Sequence, residues 1–406
     1  MEVEVLAGRL RSAAPTGPFS EVTRSLLREF SKRLRAHPAA KAYPEVQALA
    51  FSIRPAWINE LHREWDRLAD DFSVLVPRGL AFHVPPGNVD TVFIYSWALS
   101  ALVGNTNVVR LPSTATDQVN VICEVLGSVL ESDEFTSLRP TAAFVRYGHD
   151  DDVTAALSKL ADVRVVWGGD ETVSRIRRLP LSPATVEMTF PDRFSLVAFD
   201  APTVTRLGDS DVNWVGRALY NDVYWFNQLG CSSPRLVIWR GEAEQCIVAR
   251  DRVYQAVVRA CDERGYETPL SAHLAKLGFA FNLAAEGSAT SIRYFSNEAT
   301  VVELCDLSAV RRTSPGGGFF LDVRVDTLLD LVDFVARKDQ TLTHFGFERA
   351  DLVELVAALN GRGIDRLVPV GQAMTFSRYW DGYDLLQAFS RRVQVLDVHR
   401  AAPANS

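Results

Sequence analysis

Cys231 is one of five cysteines (Cys123, Cys231, Cys246, Cys261 and Cys305) in a chain of 406 residues, and its neighbours set it apart. Tyr224-Trp225-Phe226-Asn227-Gln228-Leu229-Gly230 leads into it through a polar turn, and Ser232-Ser233-Pro234-Arg235-Leu236-Val237-Ile238-Trp239 leaves it along an apolar strand. A nucleophilic thiol must be reachable and its thiolate stabilised, and a turn of this kind can provide both. Cys123 and Cys261 instead fall on helical apolar stripes, where a thiol packs as a small hydrophobe. The cysteines form no CxxC pair and have no histidine at metal-ligand spacing, so neither a metal site nor a disulfide framework is expected. A sparse, odd set suits a reducing compartment.

Two more turns offer complementary chemistry. Pro85-Pro86-Gly87-Asn88-Val89 ends an apolar strand and leads into an apolar helix. Strand ends of this kind are where α/β proteins bind ligands. The Asn88 amide can donate a hydrogen bond to an oxyanion formed when a thiol attacks a carbonyl, worth about 3 kcal/mol of barrier, or it can simply cap the helix. Trp167-Gly168-Gly169-Asp170-Glu171-Thr172 is a second strand-to-helix turn, whose glycines let the backbone approach a phosphate or serve only the turn. Arg110 closes a strand ahead of Leu111-Pro112-Ser113 with no acid just after it, which leans a nucleotide site toward the extra phosphate of NADPH. No GxGxxG fingerprint, P-loop or Gly-x-Ser-x-Gly elbow occurs, and the seven histidines match no Cys-His protease signature.

These residues need a scaffold, and the pattern around them supplies one. From Leu80 to Phe199 short apolar strands alternate with helices, the βαβ rhythm of a doubly wound parallel sheet. A second α/β series follows, with a helix before Cys231, the strand Leu236 to Trp239, and further elements to a final strand at 392–398. Amphipathic helices at 20–37 and 56–68 precede both series. The net charge of −7 and the absence of a basic block argue against nucleic acid as a partner. The longest apolar run, 91–104, is too short for a membrane span, and the acidic start Met1-Glu2-Val3-Glu4-Val5 is unlike a secretory signal, so a cytoplasmic protein is expected.

Read in order, His83-Val84-Pro85-Pro86-Gly87-Asn88-Val89, Ser96-Trp97, Gly104-Asn105, Trp167-Gly168-Gly169-Asp170-Glu171-Thr172, Phe226-Asn227-Gln228-Leu229-Gly230-Cys231-Ser232-Ser233-Pro234, Val368-Pro369-Val370-Gly371-Gln372 and Trp380-Asp381-Gly382-Tyr383 resemble the aldehyde dehydrogenase superfamily. Within it the chain looks most like the acyl-CoA reductases of the LuxC type, the fatty acid reductases of bacterial luminescence and their relatives. The resemblance covers about 75–396. It departs at Arg110, where the superfamily usually has Lys, in its shorter length, and at Gly316-Gly317-Gly318, which replaces a segment that normally supplies a Glu to the nicotinamide ribose.

The resemblance implies an α/β, aldehyde dehydrogenase-like fold: an N-terminal helical segment (1–74) packed on the cofactor domain, a doubly wound NAD(P)-binding domain (75–200), a catalytic domain (201–380), and a C-terminal strand and tail (381–406) that could serve oligomerisation. It implies Cys231 as nucleophile, Asn88 as oxyanion donor, and Val84, Pro86, Arg110, Ser113, Gly168, Gly169, Asp170 and Thr172 around the cofactor, with NADPH expected and NADH as the alternative. Glu187 falls where aldehyde-oxidising members place their general base. The implied activity is reduction of an acyl thioester, on CoA or an acyl carrier protein, to an aldehyde by a homo-oligomer. The rivals are an aldehyde dehydrogenase using Glu187 and a non-redox cysteine acyltransferase or thioesterase.

Overall fold

The computed structural model describes residues 3–13, 16–87, 89–113 and 116–396. The chain divides into two units, Met1–Pro191 with Phe376–Ser406, and Asp192–Thr375.

The first unit opens with helices α1 (Val3–Ser12), α2 (Glu21–Ala36), α3 (Pro44–Ser52) and α4 (Pro55–Asp66). Ser20 caps α2 by accepting from the Thr23 amide, and Leu26, Leu27, Phe30 and Leu34 form the buried face. Pro55 opens α4, where its missing N–H costs nothing. There follow β1 (Ser73–Pro77), β2 (Leu80–Val84), α5 (Val92–Val103), β3 (Thr106–Arg110), α6 (Asp117–Leu130), β4 (Ala142–Val145), α7 (Asp151–Leu160), β5 (Val163–Trp167), α8 (Asp170–Arg177) and β6 (Val186–Phe190). Strands β2 to β6 form a sheet in the order β4-β3-β2-β5-β6, parallel throughout. Every residue of β2, β3 and β5 is buried, as strands covered on both faces require. Leu6, Ala7 and Leu10 of α1 join Leu80, Phe82 and Val108 in one core, so α1 packs on this sheet.

The second unit contains β7 (Phe194–Asp200), α9 (Ala201–Arg206), α10 (Asp209–Val223), β8 (Pro234–Arg240), α11 (Ala243–Arg264), α12 (Leu270–Ala285), β9 (Ala289–Ser296), β10 (Ala299–Leu304), β11 (Phe319–Val325), β12 (Asp339–Phe345), α13 (Arg349–Leu359) and β13 (Arg366–Pro369). Its seven strands run β13-β12-β7-β8-β11-β10-β9, with only β9 antiparallel to its neighbour. Val197, Phe199 and Trp239 bury one face of this sheet with Leu219, Val253 and Tyr254 of α10 and α11. Leu196, Ile238 and Leu321 bury the other with Ala280, Leu283 and Leu355 of α12 and α13.

Several boundaries differ from the sequence reading. The strand at Phe194 hydrogen-bonds between β8 and β12, so the second unit begins at Asp192 and not after 200. Residues from Phe376 onward return to the first unit, which places the expected boundary at 380 five residues too late and removes a separate C-terminal segment. Leu328–Leu331 is a single 3₁₀ turn, capped where Asp330 accepts from the Thr327 amide at 3.0 Å. The final strand is Ser390–Gln394 and pairs antiparallel with β1 of the same chain; the end of the strand expected at 392–398 lies partly outside the described residues.

Candidate active site

Helix α10 stops at Val223, and the chain reverses because Asn227 and Gln228 both adopt left-handed backbone, with φ of 51° and 63°. Such a conformation costs on the order of 1–2 kcal/mol for a residue with a Cβ, so the turn needs outside support. The Gln228 side chain provides it. Its Nε2 donates to the carbonyls of Pro234 and Phe319, each at 2.9 Å, and its Oε1 accepts from the amides of Gly318 (3.1 Å) and Phe319 (3.0 Å). All four hydrogen-bonding positions of this buried amide are thereby used. The Gly316-Gly317-Gly318 run lies against the turn, with φ between 63° and 76°. The Gly317 amide donates to Asn227 O at 2.9 Å, and a Cβ on Gly318 would fall 1.7 Å from Glu298 O, so only glycine fits. Lys276 of α12 is buried and donates to the carbonyls of Gly317 and Asn297, and burial lowers its pKa to about 8.

Cys231 emerges from this turn half-buried, just before β8. Ser195 Oγ of β7 donates to the Cys231 carbonyl at 2.7 Å, Gln340 Nε2 of β12 points at Sγ from 3.8 Å, and Ser232 Oγ lies 3.9 Å from Sγ. Arg235 is buried, donating to the carbonyls of Gln228 and Gly230 in the turn and of Arg193. On another side sits the loop after β13. Asp222 of α10 accepts from the amides of Gly371 (2.6 Å) and Ala373 (2.8 Å), and burial raises its pKa to about 7. That loop brings the Met374 methyl so close to Gly230 that a Cβ there would sit 2.8 Å from it. The result is a half-buried thiol on a fixed turn with a hydrogen-bond donor aimed at its sulfur, a geometry that can attack a carbonyl.

In the first unit, taking β2 as the first strand, the order β4-β3-β2-β5-β6 has its topological switch between β2 and β5. The carboxyl ends of those two strands are Val84 and Trp167, and a ligand crevice forms at such a point. Pro86 is half-buried beyond Val84. Gly169 is the N-cap of α8 and contributes no side-chain cap, and nothing lies within 4 Å of where its Cβ would be. Gly168 donates to Phe190 O at 3.1 Å, and a Cβ on it would press against the Thr172 side chain at 3.3 Å. At the end of β3 the buried Arg110 donates to Gly148 O at 3.0 Å and lies over the Tyr147 ring, while its Nε is buried without a partner. Ser113 is exposed, its hydroxyl 3.4 Å from Tyr147 O. An open glycine turn, an uncapped helix start and an unsatisfied guanidinium N–H fit the phosphates and ribose of a dinucleotide, although Asp170 and Glu171 in the first turn of α8 oppose extra negative charge there.

The family model "Acyl-CoA reductase (LuxC)" matches residues 59–269, just over half of the chain and including Cys231. The chain belongs to the LuxC acyl-CoA reductase family. Among curated LuxC-like relatives, the long-chain acyl-protein thioester reductase of Aliivibrio fischeri is 23% identical over 182 residues, 44% of this chain and 36% of that protein. That of Photorhabdus luminescens is 21% identical over 345 residues, 83% of this chain and 67% of that one. The aligned region thus spans about a third of the first relative's length. Solved structures share the fold. The chain superposes on betaine aldehyde dehydrogenase from Staphylococcus aureus with a TM-score of 0.67 at 13% identity, covering 97% of this chain and 87% of that one. For an indole-3-acetaldehyde dehydrogenase solved with NAD+ the values are 0.68 and 11%, with 97% and 88% covered. The architecture is therefore aldehyde dehydrogenase-like.

Several LuxC motif residues carry structure. The His83 imidazole bridges Ser96 Oγ (2.8 Å) and Asn107 Oδ1 (3.0 Å), and full burial lowers its pKa to about 4, which keeps it neutral at pH 7. Gly104 ends α5 in left-handed backbone with φ 98°, and Asn105 ties the Gly79 amide to Phe389 O. Glu187 lies on β6 directly opposite Arg164 of β5, and its carboxylate is bound by Arg164 and by Arg177 at 3.1 Å. Asn88 lies outside the described residues. Sequence reasoning passed over Arg235, Gln340 and Lys276. Arg235 follows Pro234 directly after the Cys231 turn, a signal that was available; Gln340 and Lys276 are 109 and 45 positions away in sequence and carried none.

Proposed function

We propose that this chain reduces an acyl thioester to an aldehyde through an acyl-enzyme on Cys231. The observation that carries the reading is the half-buried thiol held on a strained, fully supported turn with the Gln340 amide directed at its sulfur. In the first half-reaction the Cys231 thiolate adds to the thioester carbonyl, the carbon–sulfur bond to the carrier breaks, and the departing thiolate takes up a proton. Asn88 and the Cys231 backbone N–H are the groups proposed to hold the oxyanion. A bound reduced nicotinamide supplies hydride to the acyl carbon. Collapse of the resulting oxyanion then expels the Cys231 thiolate and releases the aldehyde.

Val84, Pro86, Arg110, Ser113, Gly168, Gly169, Asp170 and Thr172 are proposed to hold the nucleotide. The buried, partly unsatisfied Arg110 supports NADPH over NADH. The A. fischeri relative is named for acyl-protein thioesters and the family model for acyl-CoA, which together support an acyl group carried on protein or CoA. The five cysteines, none in a disulfide, fit the proposed cytoplasmic setting, and no helix among the described residues is long and apolar enough to cross a membrane. A homo-oligomer remains part of the proposal.

The competing aldehyde-oxidising reading needs Glu187 to activate water, and its salt bridges to Arg164 and Arg177 support a structural role instead. Intact-protein mass measurement after mixing with an acyl-CoA, with and without NADPH, tests the reading. The parent should gain one acyl group that NADPH clears as aldehyde, and Cys231→Ala should gain none. An adduct that survives Cys231→Ala overturns the assignment. An adduct that NADPH leaves in place favours a non-redox acyltransferase.

A further inference from the structure

Arg235, the second residue of β8, is 9% exposed beneath the Cys231 turn. Its hydrogen bonds all go to main-chain carbonyls: Arg193 O at 2.9 Å, Gly230 O at 3.4 Å and Gln228 O at 3.5 Å. Two of the three belong to the turn that presents the thiol. Asp192 and Cys231 are near enough to interact with its charge. Asp192 pairs with Lys338 at 2.8 Å, Arg193 turns its guanidinium toward Asp365 at 3.8 Å, and on β12 Asp339 is held by Arg312 at 2.8 Å. Burial alone disfavours the charged guanidinium, so this cation sits in the core at a cost that a carboxylate partner would normally offset.

We propose that Arg235 is a positioning residue for the nucleophile: its planar fork fixes the carbonyls on the approach to Cys231, and its charge stabilises the thiolate that attacks the substrate. The proposal rests on the reading of Cys231 as the acyl-accepting thiol. An arginine suits both tasks, because it stays charged when buried and its donors lie in one rigid plane. The Gln340 amide adds a donor to sulfur but no charge.

The test is the pH dependence of Cys231 alkylation by iodoacetamide, read by peptide mass so that the exposed Cys305 is scored separately, in the parent, Arg235→Lys and Arg235→Met. The parent inflection should lie below the value of about 8.5 of an ordinary thiol. Arg235→Met should raise it by about one pH unit, a roughly tenfold slower reaction at pH 7, and Arg235→Lys should recover part of the loss. A parent inflection at or above that of an ordinary thiol overturns the proposal, and so does an Arg235→Met inflection equal to the parent's. If Arg235→Met does not fold, the parent profile and Arg235→Lys still decide. Acylation by acyl-CoA on the same samples separates the two readings: no adduct on the parent defeats the Cys231 assignment, whereas a normal adduct with unmoved inflections defeats only the role of Arg235.

Discussion

Two groups of buried polar side chains, one in each unit, are satisfied differently. In the first, they largely satisfy one another: Arg164 of β5 meets Glu187 across the sheet, and His83 bridges Ser96 and Asn107. In the second, Gln228, Arg235, Lys276 and Asp222 bond to main-chain groups of loops, at Phe319, Gly230, Gly317 and Gly371 respectively. Side-chain pairs stiffen a sheet and leave its strand ends open, whereas side chains bonded to loop backbone give irregular segments one shape. A nucleophile needs the second arrangement, because its reach to a carbonyl must be fixed to a fraction of an ångström.

Breaking that arrangement at Gln228 should have the largest effect. Gln228→Ala strips partners from two buried amides and two buried carbonyls, at about 1–3 kcal/mol each, so a loss of at least about 4 kcal/mol is expected in urea unfolding, with Cys231 acylation abolished. Stability within 1 kcal/mol of the parent would mean that the turn holds itself and that the contrast between the units is superficial. In the first unit the matching change is Glu187→Gln, which leaves the wholly buried Arg164 without a charged partner and should cost about 3 kcal/mol. Aldehyde formation from acyl-CoA should persist in that variant. A variant of normal stability that has lost turnover would instead restore Glu187 as a catalytic base.

The same difference explains what the sequence made legible. The alternation of strands and helices from Leu80 to Phe199 and the strand at 236–239 were readable, because apolar period and flanking turns agree there. The strand at Phe194 was readable as a strand but not as a member of the second sheet, since a run buried on both faces fits either one. Helix α12 escaped because buried Lys276 interrupts its core face while Leu270, Leu274 and Phe281 lie exposed. Cys231 stood out through its flanks, but the function of Gln228 depends on Phe319, 91 positions away, and no local pattern encodes that contact. Glu187 could be placed in a family motif but not in its ion pair, which only the β5–β6 register creates.

The two units should also respond to pH with opposite sign. His83 has its pKa lowered from 6.5 to about 4, so the unfolded chain takes up the proton first, and its contribution is lost as pH falls through that window. Asp222 has its pKa raised from 3.8 to about 7, so the unfolded chain releases the proton first, and its contribution is lost as pH rises from about 4 to 7. Hydrogen exchange corrected for intrinsic rates should therefore show β2 and α5 losing protection between pH 7 and pH 5 while the loop at 370–375 gains it. Asp222→Asn should abolish the second trend and leave the first. Parallel slopes in both units would show that other titrating groups dominate.

The smallest effect is expected where the first unit does depend on loop backbone. Tyr379–Trp380 and Tyr383–Asp384 form a two-stranded antiparallel ribbon, and the linking residues Asp381 and Gly382 have φ of 48° and 78°. Two consecutive left-handed residues make the tight turn whose twist matches the flanking strands, with Asp tolerated first and Gly favoured second. Gly382→Ala should cost about 1 kcal/mol, the penalty of a Cβ in that conformation, and lower the melting temperature by a few degrees. The iodoacetamide profile of Cys231 should be unchanged, since Gln228, Gly317, Arg235 and Ser195, which hold its turn, belong to the second unit. If Gly382→Ala moves that profile as far as Arg235→Met does, the thiol is tuned by the stability of the whole chain, and the division of labour between the units fails.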